Sequence, residues 1–345
     1  METKEMQAGK IIPIAVYKPL ATHADNDIDA QYSVTFRITE ACDLKCHYCH
    51  WHSGSHYTFE DITTTIDKLF EFFAKEDIQS VLFYYHGGEA TRHSKCLDIL
   101  KYVKQKSEET GIRAYNEMQT NLTIGVDKLE AMLPYCDRLS VSFHYRELKA
   151  RGGNGRKLEA FNRNFEYLKS IGREFYSFDV MLENVEKENA EEFYELIKYY
   201  LSYPHIKNSE MIHSFCHYAY DEATRERHLQ FYKDYNKTEQ QYQVDDKIYN
   251  TNDLFSNGLD FRGWICRAGQ DSITINGNGD VFHCGIHMTN HLRQCIAETP
   301  YTNLVTEKAA LAKMSILYKT GTKCRWNYCG GDFYLHKTKP PVVKE

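Results

Sequence analysis

Ala41-Cys42-Asp43-Leu44-Lys45-Cys46-His47-Tyr48-Cys49 follows a run, Tyr32 to Ile38, that alternates and is rich in β-branched and aromatic residues. Such a run reads as a strand, so the three cysteines stand on the loop that follows it. Their spacing lets Cys42, Cys46 and Cys49 hold three corners of one iron–sulfur cube and leave the fourth iron open for a ligand that takes part in a reaction. In an intracellular protein, thiols grouped this closely point to metal binding or catalysis rather than to disulfides. Zinc stays open as a reading at this point, because His47 or His50 could complete a tetrahedron with the three thiolates.

About forty residues on, Val81 to Tyr85 reads as a buried strand and runs into His86-Gly87-Gly88-Glu89. Two glycines let backbone come close to a ligand, and the carboxylate after them can receive an ammonium. The cysteine loop, with aromatic Tyr48 just before its last cysteine, resembles the cluster loop of the radical S-adenosylmethionine (SAM) superfamily. Gly87-Gly88-Glu89 resembles the family motif that binds the amino group of SAM's methionine moiety. Ala90 stands where the family often has proline, a departure that touches loop stiffness rather than ligand chemistry. The resemblance implies a [4Fe-4S] cluster with an open site, SAM, and an external one-electron reductant such as flavodoxin or ferredoxin. It also implies the reaction: SAM is cleaved reductively to a 5′-deoxyadenosyl radical that abstracts hydrogen from substrate.

Outward from these two motifs, strands and helices alternate. Strands are expected at Ser33 to Ile38, Ser80 to Tyr85, Arg113 to Thr120, Arg138 to Phe143, Tyr176 to Leu182 and Glu210 to Cys216. Helices are expected at Phe59 to Lys75, capped by Thr58, then at Ser94 to Thr110, Lys128 to Leu133, Lys157 to Ser170 and Ala190 to Leu201. Alternation of this kind predicts an α/β fold with parallel strands and right-handed crossovers. Six units suit the partial (β/α)6 barrel that the resemblance implies, with ligands gathering at the carboxyl ends of the strands. Thr120 and Asn121, in a Gln-Thr-Asn segment, resemble the anaerobic sulfatase-maturing branch. Ser142 ends the fourth strand where those relatives often carry Ser-x-Asp, and here His144 replaces the acid. The candidate cofactor-binding set is therefore Tyr48, Gly87, Gly88, Glu89, Thr120, Asn121, Ser142 and His144, although polar residues at strand ends also serve as caps and turn formers.

A charged, Tyr-rich helix such as Glu222 to Tyr235 is expected to carry the chain away from the barrel, and Asn250 to Gly263 reads as a connecting loop. Beyond it, Ser272 to Asn276 and Asp280 to Cys284 flank an Asn-Gly turn, a strong hairpin signal that brings Cys266 and Cys284 to one end. A helix near Thr306 to Lys319 precedes Cys324 and Cys329. This pattern resembles the opening half of the SPASM domain. Its reduced terminal cysteine pair implies the shortened twitch form, with one auxiliary cluster on Cys266, Cys284, Cys324 and Cys329. Zinc on the same four thiolates is the alternative, and Cys295 could replace one of them. The domains expected are 1–30 as an N-terminal extension, 31–220 as the barrel, 221–260 as a helical connector and 261–345 as the auxiliary domain. Seven of eleven cysteines are thereby assigned; Cys96, Cys136 and Cys216 lie in or beside barrel elements and read as small buried hydrophobes.

The 345 residues suffice for one large core and a smaller appended unit. A net charge of −6 with no basic stripe argues against nucleic acid as the main partner. The apolar runs fall short of the roughly 20 residues that span a bilayer, and the N-terminus lacks a secretory signal. These points predict no membrane partner and a cytoplasmic location. The substrate expected is a peptide or protein side chain, although about thirty residues before the first strand are too few for the leader-binding domain of many such maturases. Oxidation or rearrangement of a sugar-like small molecule is the rival enzymatic reading, and a non-catalytic zinc protein is the rival from another class. No catalytic acid or base can be named from the sequence.

Overall fold

A computed structural model describes residues 16–19, 28–46, 49, 56–150, 155–182, 189–213, 226–227, 230–231, 234, 241–244, 247–250, 260–285, 299–325 and 337–338. The strands are β1 (Val16–Pro19), β2 (Tyr32–Arg37), β3 (Ser80–Tyr85), β4 (Arg113–Thr120), β5 (Arg138–Phe143), β6 (Phe175–Leu182), β7 (Ile206–His213), β8 (Gln241–Val244) and β9 (Lys247–Asn250), followed by β10 (Ile265–Cys266), β11 (Ser272–Asn276), β12 (Asp280–Phe282), β13 (Thr302–Asn303), β14 (Thr322–Lys323) and β15 (Lys337–Thr338). The helices are α1 (Phe59–Lys75), α2 (Cys96–Thr110), α3 (Val126–Met132), α4 (Tyr145–Ala150), α5 (Arg156–Ser170), α6 (Ala190–Leu201) and α7 (Ala310–Thr320).

Strands β2 to β7 pair in sequence order and in parallel, as expected for six β/α units. The alternation in β5, Arg-Leu-Ser-Val-Ser-Phe, shows why. Leu139, Val141 and Phe143 are fully buried, and the Phe143 ring lies 5.1 Å from Phe161 and 5.0 Å from Tyr200. Arg138, Ser140 and Ser142 therefore turn to the opposite, polar face. On the other flank Phe36, Phe70, Phe73 and Phe83 form a similar aromatic layer under α1. Burying each such ring contributes roughly 2–3 kcal/mol. The Thr58 side chain accepts from Asp61 N at 3.0 Å and fixes the start of α1 where the sequence placed it.

The sheet does not close into a barrel. Its order is β13-β12-β11-β2-β3-β4-β5-β6-β7. The Asn-Gly turn makes the expected hairpin, with Thr274 opposite Phe282, but β11 also pairs in parallel with β2, from Ser272 beside Ser33 to Asn276 beside Arg37. The hairpin expected within the C-terminal unit thus supplies a seventh parallel strand to the main sheet. The sixth strand is shifted from the expected Glu210–Cys216 to Ile206–His213, because backbone pairing with β6 begins at Ile206 opposite Phe175. Residues 214–216 lie outside the described residues.

A second, antiparallel sheet of order β14-β10-β15-β1-β8-β9 draws together residues 16–19, the 241–250 hairpin, residues 265–266, residues 322–323 and residues 337–338. Residues 226–227, 230–231 and 234 of the expected connector are helical, but the connector also carries strands β8 and β9. Among the described residues no helix is long and apolar enough to cross a membrane.

Candidate functional site

The cysteine loop leaves β2 at its carboxyl end. Cys46 is buried and Cys49 N donates to Cys46 O at 2.9 Å, a tight turn between the second and third cysteines. All three sulfurs rest on the same hydrophobic core. Burial pushes the Cys42 thiol up to about 12, with the Glu89 carboxylate and the Cys49 thiol adding to the effect. A coordinating thiol is deprotonated when a metal takes the proton's place, so one buried and two half-buried thiols on one loop suit a metal cluster. Among the described residues no three His, Cys, Asp or Glu side chains form a group that could hold a single metal ion. A cube asks for something different, since each thiolate takes its own iron around a shared space. His47, Tyr48 and His50 lie outside the described residues.

The Gly87-Gly88-Glu89 turn is fastened to the approach to this loop. Gly88 N donates to Thr39 O at 3.1 Å and Glu89 N to Ala41 O at 2.8 Å. A Cβ on Gly88 would lie 2.4 Å from Ala41 O and 2.7 Å from Glu40 C, so only glycine allows the two backbones to meet. Gly87 has φ +139 and lies against the Arg37 side chain. The buried Glu89 carboxylate binds its own surroundings: Oε1 accepts from Thr91 Oγ1 at 2.6 Å and Thr120 Oγ1 at 2.9 Å, and Oε2 from Asn121 N at 2.7 Å. Burial raises its carboxyl while these donors oppose the shift. Glu89 thereby ties the turn to the end of β4, and Oε2 keeps a further lone pair for another donor.

The ends of β4 and β5 complete the rim. Asn121 Nδ2 donates to Asp43 Oδ1 at 3.2 Å and reaches Cys42 Sγ at 3.8 Å. Thr123 Oγ1 donates to Asp43 Oδ2 at 2.7 Å, and Lys157 at the start of α5 makes an ion pair with the same oxygen. Burial alone would raise Asp43, but Lys157 and Thr123 outweigh it and hold the carboxyl below its usual range. Ser142 is half-buried beside Asp179, and burial holds His144 down to about 4. His86 is likewise held to about 4, by burial and then by the Arg37 charge, so both imidazoles are neutral near pH 7.

Sequence reasoning missed the polar interior beneath this rim. The Tyr84 hydroxyl donates to Gln119 Oε1, and Gln119 Nε2 donates to Asp179 Oδ2 at 2.9 Å. Ser140 Oγ donates to Glu117 Oε1 at 2.8 Å, with Arg138 3.7 Å from Oε2. The available signal was the period of β5, which places polar residues at every second position on one face. Burial holds Asp179 up to about 6 and Glu117 up to about 7, the latter against the pull of Ser140 and Arg138. Between 4.5 and about 7 the folded chain keeps a proton on Glu117 that the unfolded chain releases, so stability falls as pH rises through that window. The expected loss is roughly 3 kcal/mol for this group. Urea midpoints between about pH 5 and about pH 8 should therefore fall less steeply in Glu117→Gln than in the native chain; parallel slopes in the two proteins refute the assignment.

At the far side of the molecule Cys266 and Cys284 pack together with Ala268. Cys324 is brought alongside by β14, where Cys324 N donates to Trp264 O at 2.7 Å. A cavity of about 360 Å³ opens there, lined by His283, Tyr301, Leu317, Cys324 and Arg325. Cys329 and Cys295 lie outside the described residues.

An open, mainly parallel α/β sheet with a thiol-bearing loop and a glycine turn at its carboxyl edge defines the class of site. Residues 36–197 match the family model described as the Radical SAM superfamily. Among curated proteins none matches the sequence. Among solved structures, Streptococcus suis SuiB bound to S-adenosylmethionine is similar at TM-score 0.53 and 14% identity over 84% of this chain. The match spans 66% of the SuiB chain. The protein anSMEcpe with bound AdoMet is similar at TM-score 0.52 and 12% identity, over 84% of this chain and 82% of that one. Native anSMEcpe with bound AdoMet and Cp18Cys peptide is similar at TM-score 0.52 and 13% identity, over 84% of this chain and 83% of that one. The likeness is one of fold.

Proposed function

We propose that this chain is a radical SAM enzyme that modifies a peptide or protein side chain. The observation that carries the reading is the fastening of the Gly87-Gly88-Glu89 turn to the cysteine loop, where a Cβ on Gly88 would lie 2.4 Å from the Ala41 carbonyl oxygen. When bound, the cluster on Cys42, Cys46 and Cys49 supplies one electron, taken from an external reductant such as flavodoxin or ferredoxin, for cleavage of SAM to methionine and a hydrogen-abstracting 5′-deoxyadenosyl radical. The chain's own part is placement. Gly87 and Gly88 bring backbone to the methionine moiety of SAM, and Asp43, Asn121 and Lys157 brace the loop from across the rim. Ser142 and His144 stand at the mouth. Tyr84, Gln119 and Asp179 offer hydrogen bonds to a substrate entering from the carboxyl edge, while the aromatic layers exclude water behind them. A fold relative that holds a peptide beside AdoMet favours the peptide reading. The polar interior favours a second one, a sugar-like small molecule. A change in mass of a short peptide encoded beside the gene, on co-expression, supports the first; neighbours that encode sugar enzymes with no such peptide refute it.

Residues 261–345 are proposed as a twitch-like domain that binds one auxiliary cluster through Cys266, Cys284, Cys324 and Cys329, the cluster returning the substrate's electron or holding substrate. The packing of Cys266 against Cys284 and the cavity beside Cys324 support this. Cys284→Ala should lower iron and sulfide content while 5′-deoxyadenosine still forms. Unchanged metal content in that variant refutes the auxiliary cluster. A cytoplasmic setting suits thiols kept reduced for metal binding.

A further inference from the structure

One side chain on the rim reaches a cluster thiol without being a ligand. We propose that Asn121 is a positioning residue that tunes the cluster by donating a side-chain N–H to Cys42 Sγ. The inference rests on the reading of Cys42 as a cluster ligand, and it gives Asn121 a role other than contact with SAM.

An amide NH2 carries two hydrogens. In Asn121 one faces Asp43 Oδ1 at 3.2 Å and the other faces Cys42 Sγ at 3.8 Å. The amide cannot turn over. Its Oδ1 already accepts from Thr123 N at 3.1 Å, and a flipped amide would set that oxygen against the Asp43 carboxylate. The backbone is pinned as well, since Asn121 N donates to Glu89 Oε2 at 2.7 Å. Asp43 is itself immobilised by Thr123 and Lys157. Asp43, only one residue beyond the first cysteine, therefore acts as the peg that points the Asn121 donor at sulfur. Leu44 N also donates to Cys42 Sγ, at 3.4 Å, but it belongs to the backbone and no substitution removes it cleanly.

Hydrogen bonds to cluster sulfurs are among the terms that set reduction potential. Uptake of one electron from an external reductant adds one negative charge to the cluster and breaks no bond to protein. A donor on the thiolate favours that more negative state, so the Asn121 contact makes the electron easier to accept.

The test uses the full chain, reconstituted anaerobically, with the midpoint potential read by paramagnetic resonance during a mediated titration. Asn121→Ala is expected to hold native amounts of iron and sulfide, to shift the midpoint to more negative potential, and to slow 5′-deoxyadenosine formation with the KM for SAM unchanged. Asn121→Asp keeps the shape and the Thr123 N bond but replaces the donor by an acceptor, so its midpoint should also lie below native; it decides the matter if the alanine variant loses iron. Thr123→Val removes one brace on Asp43 but keeps Lys157, the Thr123 N bond to Asn121 Oδ1 and the donor on sulfur, so its midpoint should move much less than in Asn121→Ala. An unmoved midpoint in both Asn121 variants overturns the proposal, as does a raised KM for SAM with an unmoved midpoint, or an equal shift in Thr123→Val. A native chain that takes up no cluster defeats the proposed function as well, whereas a normal native cluster with unmoved variants defeats this inference alone.

Discussion

Cys46→Ala should abolish reductive cleavage of SAM while the chain stays folded. Cys46 is the middle one of the three proposed ligands, and its carbonyl holds the Cys49 turn, which the substitution leaves in place. What disappears is one thiolate. Removing an outer partner of a metal ligand commonly costs about 10–100-fold in metal affinity or activity, and losing one of three ligands should exceed that. The side chain is small, so the fold loses on the order of 1 kcal/mol and circular dichroism should be unchanged. Formation of 5′-deoxyadenosine at the native rate in this variant is the contrary outcome.

Gly88→Ala separates the two motifs. The added Cβ would sit 2.4 Å from Ala41 O and 2.7 Å from Glu40 C, and both are backbone atoms that cannot swing aside. Relief requires the glycine turn to move off the cysteine loop, which breaks the bonds to Thr39 O and Ala41 O. Overpacking costs roughly 1–3 kcal/mol, and each lost hydrogen bond about 1 kcal/mol more. The functional loss should be larger than the loss of stability, because the turn is where SAM is expected to sit: SAM binding should weaken by at least about tenfold, read by equilibrium dialysis. Gly125→Ala is the matched control. Gly125 has φ −65 and an added Cβ meets nothing within 4 Å, so the change should cost under about 1 kcal/mol. Equal effects of the two substitutions would show that the close approach at Gly88 has no special part.

The elements that the sequence made legible are those whose signals are local. The Phe59–Lys75 helix, with its Thr58 cap, and the Arg113–Thr120 and Arg138–Phe143 strands form where periodicity and caps place them, because each meets its hydrophobic partner layer without altering its own pattern. The Asn-Gly turn likewise foretold the β11–β12 pairing. It could not foretell the parallel pairing of β11 with β2, which joins residues far apart in the chain and leaves no mark on either strand's alternation. The second sheet was illegible for a related reason. Strands such as Val16–Pro19 and Lys337–Thr338 are too short to show a period, and only their pairing defines them.

At the site the same division holds. Cys42, Cys46, Cys49, Gly87, Gly88 and Glu89 could be read from spacing and resemblance, since the chemistry needs those residue types close together in sequence. Asp43 and Lys157 carried no signal, being 114 positions apart and joined only when α5 folds across the rim. Glu89 was expected to face an ammonium; its carboxylate also takes up Thr91, Thr120 and Asn121, contacts that exist only once β3 and β4 lie side by side.

The most direct measurement is the paramagnetic resonance of the reduced, reconstituted native chain before and after adding SAM, with nucleoside products counted. A cluster with an open iron beside the glycine turn predicts a spectrum that changes on SAM addition, followed by methionine and 5′-deoxyadenosine in equal amounts. A spectrum indifferent to SAM with no nucleoside released, or a chain that takes zinc and no iron, contradicts the account.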